Sequence, residues 1–235
     1  MTFSWKRVNA IFVKDYKDFS RNMAVSIIIF FPPVLAAMYS RMGTSSIESI
    51  YMIFNMGFAM VAAFVQSCLI AEEKEKNTLR GLMLSPATTA EILSGKSLLS
   101  FLLTLFSIVL SAIFFEYLPK NIGIIALAII LSSFFYIGLG TLLGLYAKSI
   151  MEASALVLPV IIVFSAGTFS KALAEQYPVL KAANYLPNVQ LLDIATKVEA
   201  NAGGADVISH FAIIAAWVII ISLLTVIIFR KRMVD

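Results

Sequence analysis

The segment Gly95-Lys96-Ser97 is the part of this chain most suggestive of chemistry, because it follows Ala90 with the spacing of a relaxed phosphate-binding loop. In such a loop a strand delivers glycines to the start of a helix, where backbone N–H groups and the lysine hold phosphate. Here the segment lies in a predicted helix that leads straight into an apolar run, and no carboxylate-ended strand follows to hold magnesium. No polar segment exceeds roughly 40 residues, too few for a nucleotide-binding domain. We therefore expect no ATPase site, no catalytic residue and no metal site in this chain.

Composition indicates a membrane protein. Apolar residues fill 60% of the 235 positions and charged residues only 14%, which leaves too little polar surface for a soluble domain. Six runs approach the length that a helix needs to cross about 30 Å of hydrocarbon. The predicted spans are Met23–Tyr39, Ile50–Ala71, Leu98–Leu118, Ile122–Ala147, Ala153–Phe169 and Phe211–Phe229. Because backbone groups in lipid must be satisfied internally, the fold class is all-α, a polytopic membrane protein without strands.

We expect one transmembrane domain over residues 1–235. Its segments are a leader at 1–21, two spans at 22–71, a cytoplasmic loop at 72–97, three spans at 98–169, an outer segment at 170–210, and the last span with its tail at 211–235. Lysine and arginine concentrate in the leader, the 72–97 loop and the tail, which predicts cytoplasmic termini and fits a bacterial plasma membrane. The net charge of +4 reflects this bias, and no basic patch predicts nucleic-acid binding.

The leader predicts an amphipathic helix. Its apolar residues recur at steps of three and four, at Trp5, Val8, Phe12, Tyr16 and Phe19. This spacing favours a helix in the membrane interface, with Trp5, Phe12, Tyr16 and Phe19 at the acyl boundary. The alternative is a helix that packs on another protein element.

The outer segment follows a short span that is interrupted by Pro159, so we expect a broken, re-entrant fifth span. Pro187 and the apolar residues after it, Val189, Leu192, Ala195 and Val198, predict a short helix that begins at a proline. The alternative is an ordinary surface loop.

The cytoplasmic loop predicts two helices. Leu79, Leu82 and Met83 form an apolar face over one turn, and Ser85-Pro86 ends that helix. A second helix should begin near Thr88 or Thr89, whose hydroxyl can cap free N–H groups.

A family resemblance lies in the same loop, which reads E-x-E-x-x-T-L-x-x-L-x-x-S-P-x-x-x-x-E-I-L-x-G-K from Glu73 to Lys96. It resembles the ABC type-2 transporter permeases, the membrane subunits of ATP-driven exporters. The resemblance extends to "MEASALVLPVIIVFSAGTF" and "YLPNVQLLD", and it departs at Asn77, where glycine is common. It implies a coupling helix that seats on a separate ATPase subunit, which would bind ATP and Mg. The implied docking residues are Glu73, Glu75, Thr78, Leu79, Arg80, Leu82, Met83 and Pro86.

Inside the membrane the sequence offers few polar groups. Asn55, Ala59, Ala62 and Gln66 share one face of the second span, which could line a translocation path or let two helices approach closely. The pair Gly140 and Gly144 predicts a close helix contact.

The third span holds the one charge within the predicted spans, Glu116, at the outer boundary beside Pro119 and Lys120, where we expect a solvated salt bridge. Ion-coupled carriers place ionisable groups or broken helices near the midplane, so we expect the driving energy to come from outside this chain.

We therefore expect the permease subunit of an exporter that works with ATPase subunits, a second permease, identical or different, and membrane lipid. The mostly uncharged spans favour an apolar or amphipathic substrate such as a drug, an antimicrobial peptide or a lipid-linked molecule. The alternatives are a stand-alone ion-coupled secondary carrier and a non-transporting membrane scaffold or immunity protein.

Overall fold

The computed structural model describes residues 3–165, 178–201 and 204–232, and these residues are largely helical. No strand occurs in these ranges, so the predicted all-α class is confirmed. The helices are α1 Trp5–Arg21, α2 Met23–Arg41, α3 Ile47–Glu75, α4 Leu79–Leu84, α5 Thr89–Phe114, α6 Ile122–Tyr146, α7 Ile150–Ser165, α8 Pro187–Glu199 and α9 Gly204–Arg232. A 3₁₀ turn interrupts α2 at Ile27–Phe30, a π-helical segment interrupts α3 at Phe58–Ala63, and a 3₁₀ segment, Pro178–Tyr185, precedes α8.

Five of the described helices are long and apolar enough to cross a membrane: α2, α3, α5, α6 and α9. They match five of the six predicted spans. The predicted fifth span corresponds to α7, whose 16 residues reach only about 24 Å at 1.5 Å per residue. Residues 166–169 of that predicted span, and 170–177 of the predicted outer segment, lie outside the described residues. The chain is thus a multi-pass membrane protein with five candidate spans and one shorter apolar helix.

Helix α3 occupies the centre of the bundle. Its most apolar window is 89% buried, whereas the windows of the other four candidate spans are 17–39% buried. The outer helices therefore keep long apolar faces toward their surroundings, which suits contact with lipid.

Helices α3 and α6 approach each other closely at two glycines. A Cβ atom at Gly144 would lie 2.6 Å from the Ser67 carbonyl oxygen, and one at Gly140 would collide with the backbone of Ala63. The predicted close contact at Gly140 and Gly144 is confirmed, because only a residue without a side chain allows the two backbones this near.

The connections that are rich in lysine and arginine meet at one end of the bundle, which we call the basic end. Lys74 donates to the Leu145 carbonyl at 2.7 Å, and the Ile150 amide donates to Glu75 at 2.9 Å. Phe229 near the end of α9 packs in the same region against Ile70 and Leu145. These segments share an end, as the charge distribution predicts.

At the opposite end of the bundle, the connection between α5 and α6 is hydrogen-bonded to the end of α8. Tyr117 donates to the Glu199 carboxylate at 3.1 Å and lies 3.3 Å from the Tyr51 hydroxyl. Lys120 donates to the Glu199 carbonyl at 2.5 Å. The solvated salt bridge expected for Glu116 is not found among the described residues, and the ammonium group of the neighbouring Lys120 bonds to the Glu199 carbonyl.

Helix α8 is packed into the bundle near that opposite end. It begins at Pro187, as predicted, and Val189, Leu192 and Val198 are buried. The Asn55 amide on α3 donates to the Asn188 carbonyl at 3.2 Å, and the Asn188 amide donates to the Phe164 carbonyl at 2.8 Å. Residues 187–199 are therefore no surface loop but a buried helix tied to α3 and α7.

A first prediction concerns the α3–α6 contact. We expect Gly140→Ala to lower the free energy of unfolding of the purified protein by about 1–3 kcal/mol, because the added methyl group must displace the α3 backbone. The change would be seen as a lower melting temperature. Gly123→Ala in the same helix is the control, since its Cβ would meet only the Asn121 side chain at 3.5 Å. Equal melting temperatures for the two variants would contradict the contact.

Candidate functional site

Lys96 is buried at the centre of the basic end, where it joins three elements. Its side chain is 0% exposed, and its Nζ lies 3.0 Å from Asp15 Oδ2 on α1 and 3.0 Å from Glu73 Oε1 on α3. A buried ammonium group requires such partners, because removing its charge from water is costly. One side chain of α5 therefore holds the leader and the end of the central helix together.

Lys14 completes this arrangement. It donates to Glu73 as well, and its Nζ lies 3.3 Å from Asp15 Oδ1. Two lysines thus face two carboxylates, and we refer to Lys14, Asp15, Glu73 and Lys96 as the charge cluster. The Thr78 hydroxyl donates to the second oxygen of Glu73, which connects the cluster to the start of α4.

Burial and charge oppose each other in this cluster. Burial raises the pKa of Asp15, and the lysines at 96 and 14 lower it without cancelling that rise. Partial burial lowers the pKa of Lys14, but its hydrogen bond to Glu73 and the neighbouring carboxylates outweigh burial and raise its pKa above the ordinary value. The stabilising effect of Lys14 is therefore fully present below the ordinary lysine pKa and is lost only as the pH rises through the higher folded pKa. The net gain in stability from such buried ion pairs is small, because the cost of removing the charges from water offsets their attraction.

Glu91 forms a second tie between the leader and α5. With Thr88 it makes a reciprocal capping box at the start of α5, which confirms the predicted helix start. The same carboxylate accepts from Arg7 Nε at 3.0 Å and Nη2 at 2.7 Å, and from the Ser4 amide. The hydrogen bond to Glu91 raises the pKa of Arg7.

The Gly95-Lys96-Ser97 segment has a packing role, and Gly95 is the residue that makes close packing possible. A Cβ atom at Gly95 would lie 2.8 Å from Ile11 Cβ and 3.0 Å from the Val8 carbonyl oxygen. The glycine lets α1 lie against α5, and the lysine beside it pairs with Asp15. The segment lies inside α5 rather than at a strand-to-helix turn, so the contacts of a packing site replace those of a phosphate loop.

The leader packs on α5 through a face that differs from the predicted one. Val8, Ile11, Asp15 and Phe19 are buried, whereas Trp5 is 72% exposed and Tyr16 is 53% exposed. Phe12 is half-buried and packs beside Phe19 in a cluster with α2, α3 and α5. Of the four predicted interfacial residues, Phe19 therefore lies inside the protein, and the interfacial position of Trp5 and Tyr16 stays a prediction.

A helix forms at Leu79–Leu84, where the resemblance implies a coupling helix, and it ends before Pro86, as predicted. Asn77 precedes it with a φ of 54°, and the Thr78 amide donates to the Glu73 carbonyl at 2.9 Å. This is a left-handed helix end, where glycine and asparagine are favoured. The departure from glycine at Asn77 therefore preserves the same backbone turn.

The predicted docking residues fall into separate environments. Leu82 is half-buried, Pro86 is exposed, and Leu84, which the prediction omitted, is 81% exposed. Glu75 and Thr78 are exposed but bonded to Ile150 and Glu73. The side chains of Leu79, Arg80 and Met83 are not described. Glu73 is not part of an exposed rim, because Lys14 and Lys96 hold its carboxylate inside the protein.

The polar stripe on α3 is buried within this chain. Asn55, Ala59, Ala62 and Gln66 are all almost completely buried. Gln66 donates to the Thr141 hydroxyl at 2.9 Å and accepts from the Ser100 hydroxyl at 2.8 Å. The stripe therefore joins α3 to α5, α6 and α8, and close packing describes it better than an open path.

Sequence reasoning missed two features that carry a visible signal. Asp15 lies four residues after Ile11 and four before Phe19, so an acidic group interrupts the apolar face of α1. A row of hydroxyl groups on α5 recurs at helical spacing and is buried toward α2 and α3, at Ser100, Thr104, Ser107 and Ser111. Ser107, for example, donates to the Ile29 carbonyl at 2.9 Å.

Comparison with known families agrees with this architecture. The family model described as ABC-2 family transporter protein matches residues 20–229. The chain belongs to the ABC-2 transporter family. No curated protein sequence matches it. The chain is thus a membrane component of a transporter, and members of this family associate with ATP-binding cassette ATPase subunits.

A second prediction tests the charge cluster. We expect Lys96→Met to destabilise the protein by about 3–5 kcal/mol, because Asp15 and Glu73 would keep buried charges while losing the fully buried lysine that pairs with both. Amide hydrogen exchange across α1 should rise. Adding Asp15→Asn and Glu73→Gln to that variant should restore most of the protection of the α1 amides from exchange.

The matched control for this prediction is Lys17→Met, which removes an exposed lysine from α1. It should leave exchange unchanged. Unchanged protection of α1 in Lys96→Met would contradict the role of the cluster.

Proposed function

We propose that this chain is the permease subunit of an ATP-driven exporter, in a complex of two permeases and two separate ATPase subunits. Membership of the ABC-2 transporter family supports the transport role. ATP and Mg would bind to the ATPase partners. Closure of those partners would move the α4 helix and, through it, the spans, and so shift the population between resting and extruding states.

The observation that carries this proposal is the contrast between α4 and its attachments. Helix α4 presents Leu84 to its surroundings, while the segments on either side of it are fixed by buried charges. The segment before α4 follows Glu73, whose carboxylate accepts from Thr78. The segment after α4 leads to the capping box of Thr88 and Glu91 and then to Lys96 in α5. A partner that pushes on α4 would therefore act on α1, α3 and α5 together.

The proposed docking contact combines a small apolar area with polar groups. Burial of two or three apolar side chains contributes about 1.5–3 kcal/mol each before ordering costs. Leu82 and Leu84 would supply part of this area, together with Leu79 and Met83, and Arg80 and Glu75 would supply polar contacts at its edge.

We place the basic end in the cytoplasm of a bacterial cell, with both chain termini on that side. This follows from the excess of lysine and arginine in the connections that meet there. The small number of charged residues within the candidate spans favours a substrate that is apolar or amphipathic, such as a drug, an antimicrobial peptide or a lipid-linked molecule.

A third prediction tests docking at α4. We expect Leu82→Asp to release the ATPase subunits during purification and to abolish substrate-stimulated ATP hydrolysis, because a charge replaces a docking side chain. Met42→Asp is the control, since Met42 is an exposed apolar residue at the opposite end of α2 from the charge cluster.

The two alternatives predict other results. Wild-type assembly of Leu82→Asp with an ATPase would contradict docking at α4. Substrate movement in vesicles driven by an ion gradient, with no ATPase present, would replace the exporter by a secondary carrier. No movement under either condition would favour a scaffold.

A further inference from the structure

A pocket of about 390 Å³ lies between the end of α5 and the start of α6, at the end of the bundle opposite the charge cluster. We propose that it binds an amphiphilic organic cation dissolved in the bilayer, with the apolar part in the pocket and the ammonium group on Glu116. This site is separate from the α4 docking contact and does not depend on it.

The walls of the pocket are almost entirely apolar. Ile108 and Ala112 of α5 face Ile125 and Ile129 of α6, and the rim residues Val109, Ile113, Leu118 and Ile122 are exposed. A volume near 400 Å³ lies in the range of about 300–1,000 Å³ that holds small organic ligands. The pocket therefore suits the apolar part of such a ligand.

Glu116 is the one acidic residue in the pocket lining, and no described residue gives its carboxylate an ion pair or a hydrogen bond. The nearest basic residue in sequence, Lys120, donates to the Glu199 carbonyl. The Tyr117 hydroxyl in the same lining donates to the Glu199 carboxylate. The Glu116 carboxylate is exposed beside the apolar walls, so it is accessible to a cation that comes from outside the chain.

The backbone at Glu116 makes this residue an unfavourable choice for the fold alone. Its φ is 53°, and the Tyr117 amide donates to the Ala112 carbonyl at 2.9 Å, so α5 ends in a Schellman motif with Glu116 at the left-handed position. Glycine or asparagine suits that conformation better, and a carboxylate is repelled by the negative end of the helix dipole. The chain places asparagine at its other described left-handed non-glycine positions, Asn77 and Asn201. A bound cation gives a reason for glutamate here.

The depth of the site favours an amphiphile over a soluble cation. The pocket begins beside apolar residues of two candidate spans and ends at the last turn of α5 and the first turn of α6, where a bilayer changes from hydrocarbon to headgroups. A molecule that partitions into the bilayer has its charged group at that level and its apolar part below it.

The experiment uses the full chain in phosphatidylcholine nanodiscs with three dansylated undecyl probes that end in trimethylammonium, hydroxyl or carboxylate. We expect the cation to bind about tenfold more tightly than the alcohol, as one partly desolvated charge pair would give, and the carboxylate to bind most weakly. Glu116→Gln should remove the preference for the cation and leave the alcohol unchanged. Glu48→Gln, an exposed acid at the same end of the molecule, is the matched control and should behave as wild type.

Two more variants separate binding from folding. Glu116→Asn should raise the melting temperature, because asparagine suits the left-handed turn, and should still lose the cation preference. Ala126→Phe should weaken all three probes by filling the pocket. Equal binding of cation and alcohol to wild type, or an unchanged preference in Glu116→Gln, would overturn the proposal. Binding of the cationic probe in phosphatidylcholine nanodiscs but not in phosphatidylethanolamine nanodiscs would also overturn the proposal, because it would assign the site to the lipid.

Discussion

The buried ammonium group of Lys96 is the interaction on which the arrangement of the basic end depends. It lies between Asp15 of α1 and Glu73 of α3, so the leader, the central helix and α5 share one centre of charge. Without Lys96, the buried carboxylates of Asp15 and Glu73 would keep only the half-exposed Lys14 as a shared partner, and a buried charge that loses its partner is strongly destabilising. The cluster therefore specifies where the leader lies, and the small residue Gly95 makes the approach possible.

The rest of the bundle follows the physics of helices in lipid. Association between spans gains little from apolar burial, because lipid tails are as apolar as leucine side chains. The contacts that hold α3 in the centre are instead close backbone approaches at Gly140 and Gly144 and buried hydrogen bonds such as that from Gln66 to Thr141. Small and polar residues set these close contacts, while large apolar residues both fill the core, as Phe54 and Phe58 do, and cover the outer faces of the other spans.

Much of this architecture could be predicted from the sequence, because hydropathy and helix-end signals are local. The five long spans, the helix start at Thr88, the stop before Pro86 and the helix that begins at Pro187 all follow from residues close in sequence. The charge cluster could not, since its bonded pair Asp15 and Lys96 is separated by 81 positions and no period relates the members. The exposed role expected for Glu73 failed for the same reason: its partners come from α1 and α5. The sequence predicts that the third span ends at Leu118, four residues after the observed end of α5 at Phe114, because a glutamate in a left-handed turn gives no stop signal.

The central claim is that α1 and α5 move as one body when an ATPase acts on α4. The most direct measurement is the distance between spin labels at the exposed positions 17 on α1 and 94 on α5, in the assembled transporter with and without ATP. The account predicts one narrow distance that stays the same in both states, while a label at position 84 changes its distance to one at position 42. A second α1–α5 distance that appears on addition of ATP would contradict it.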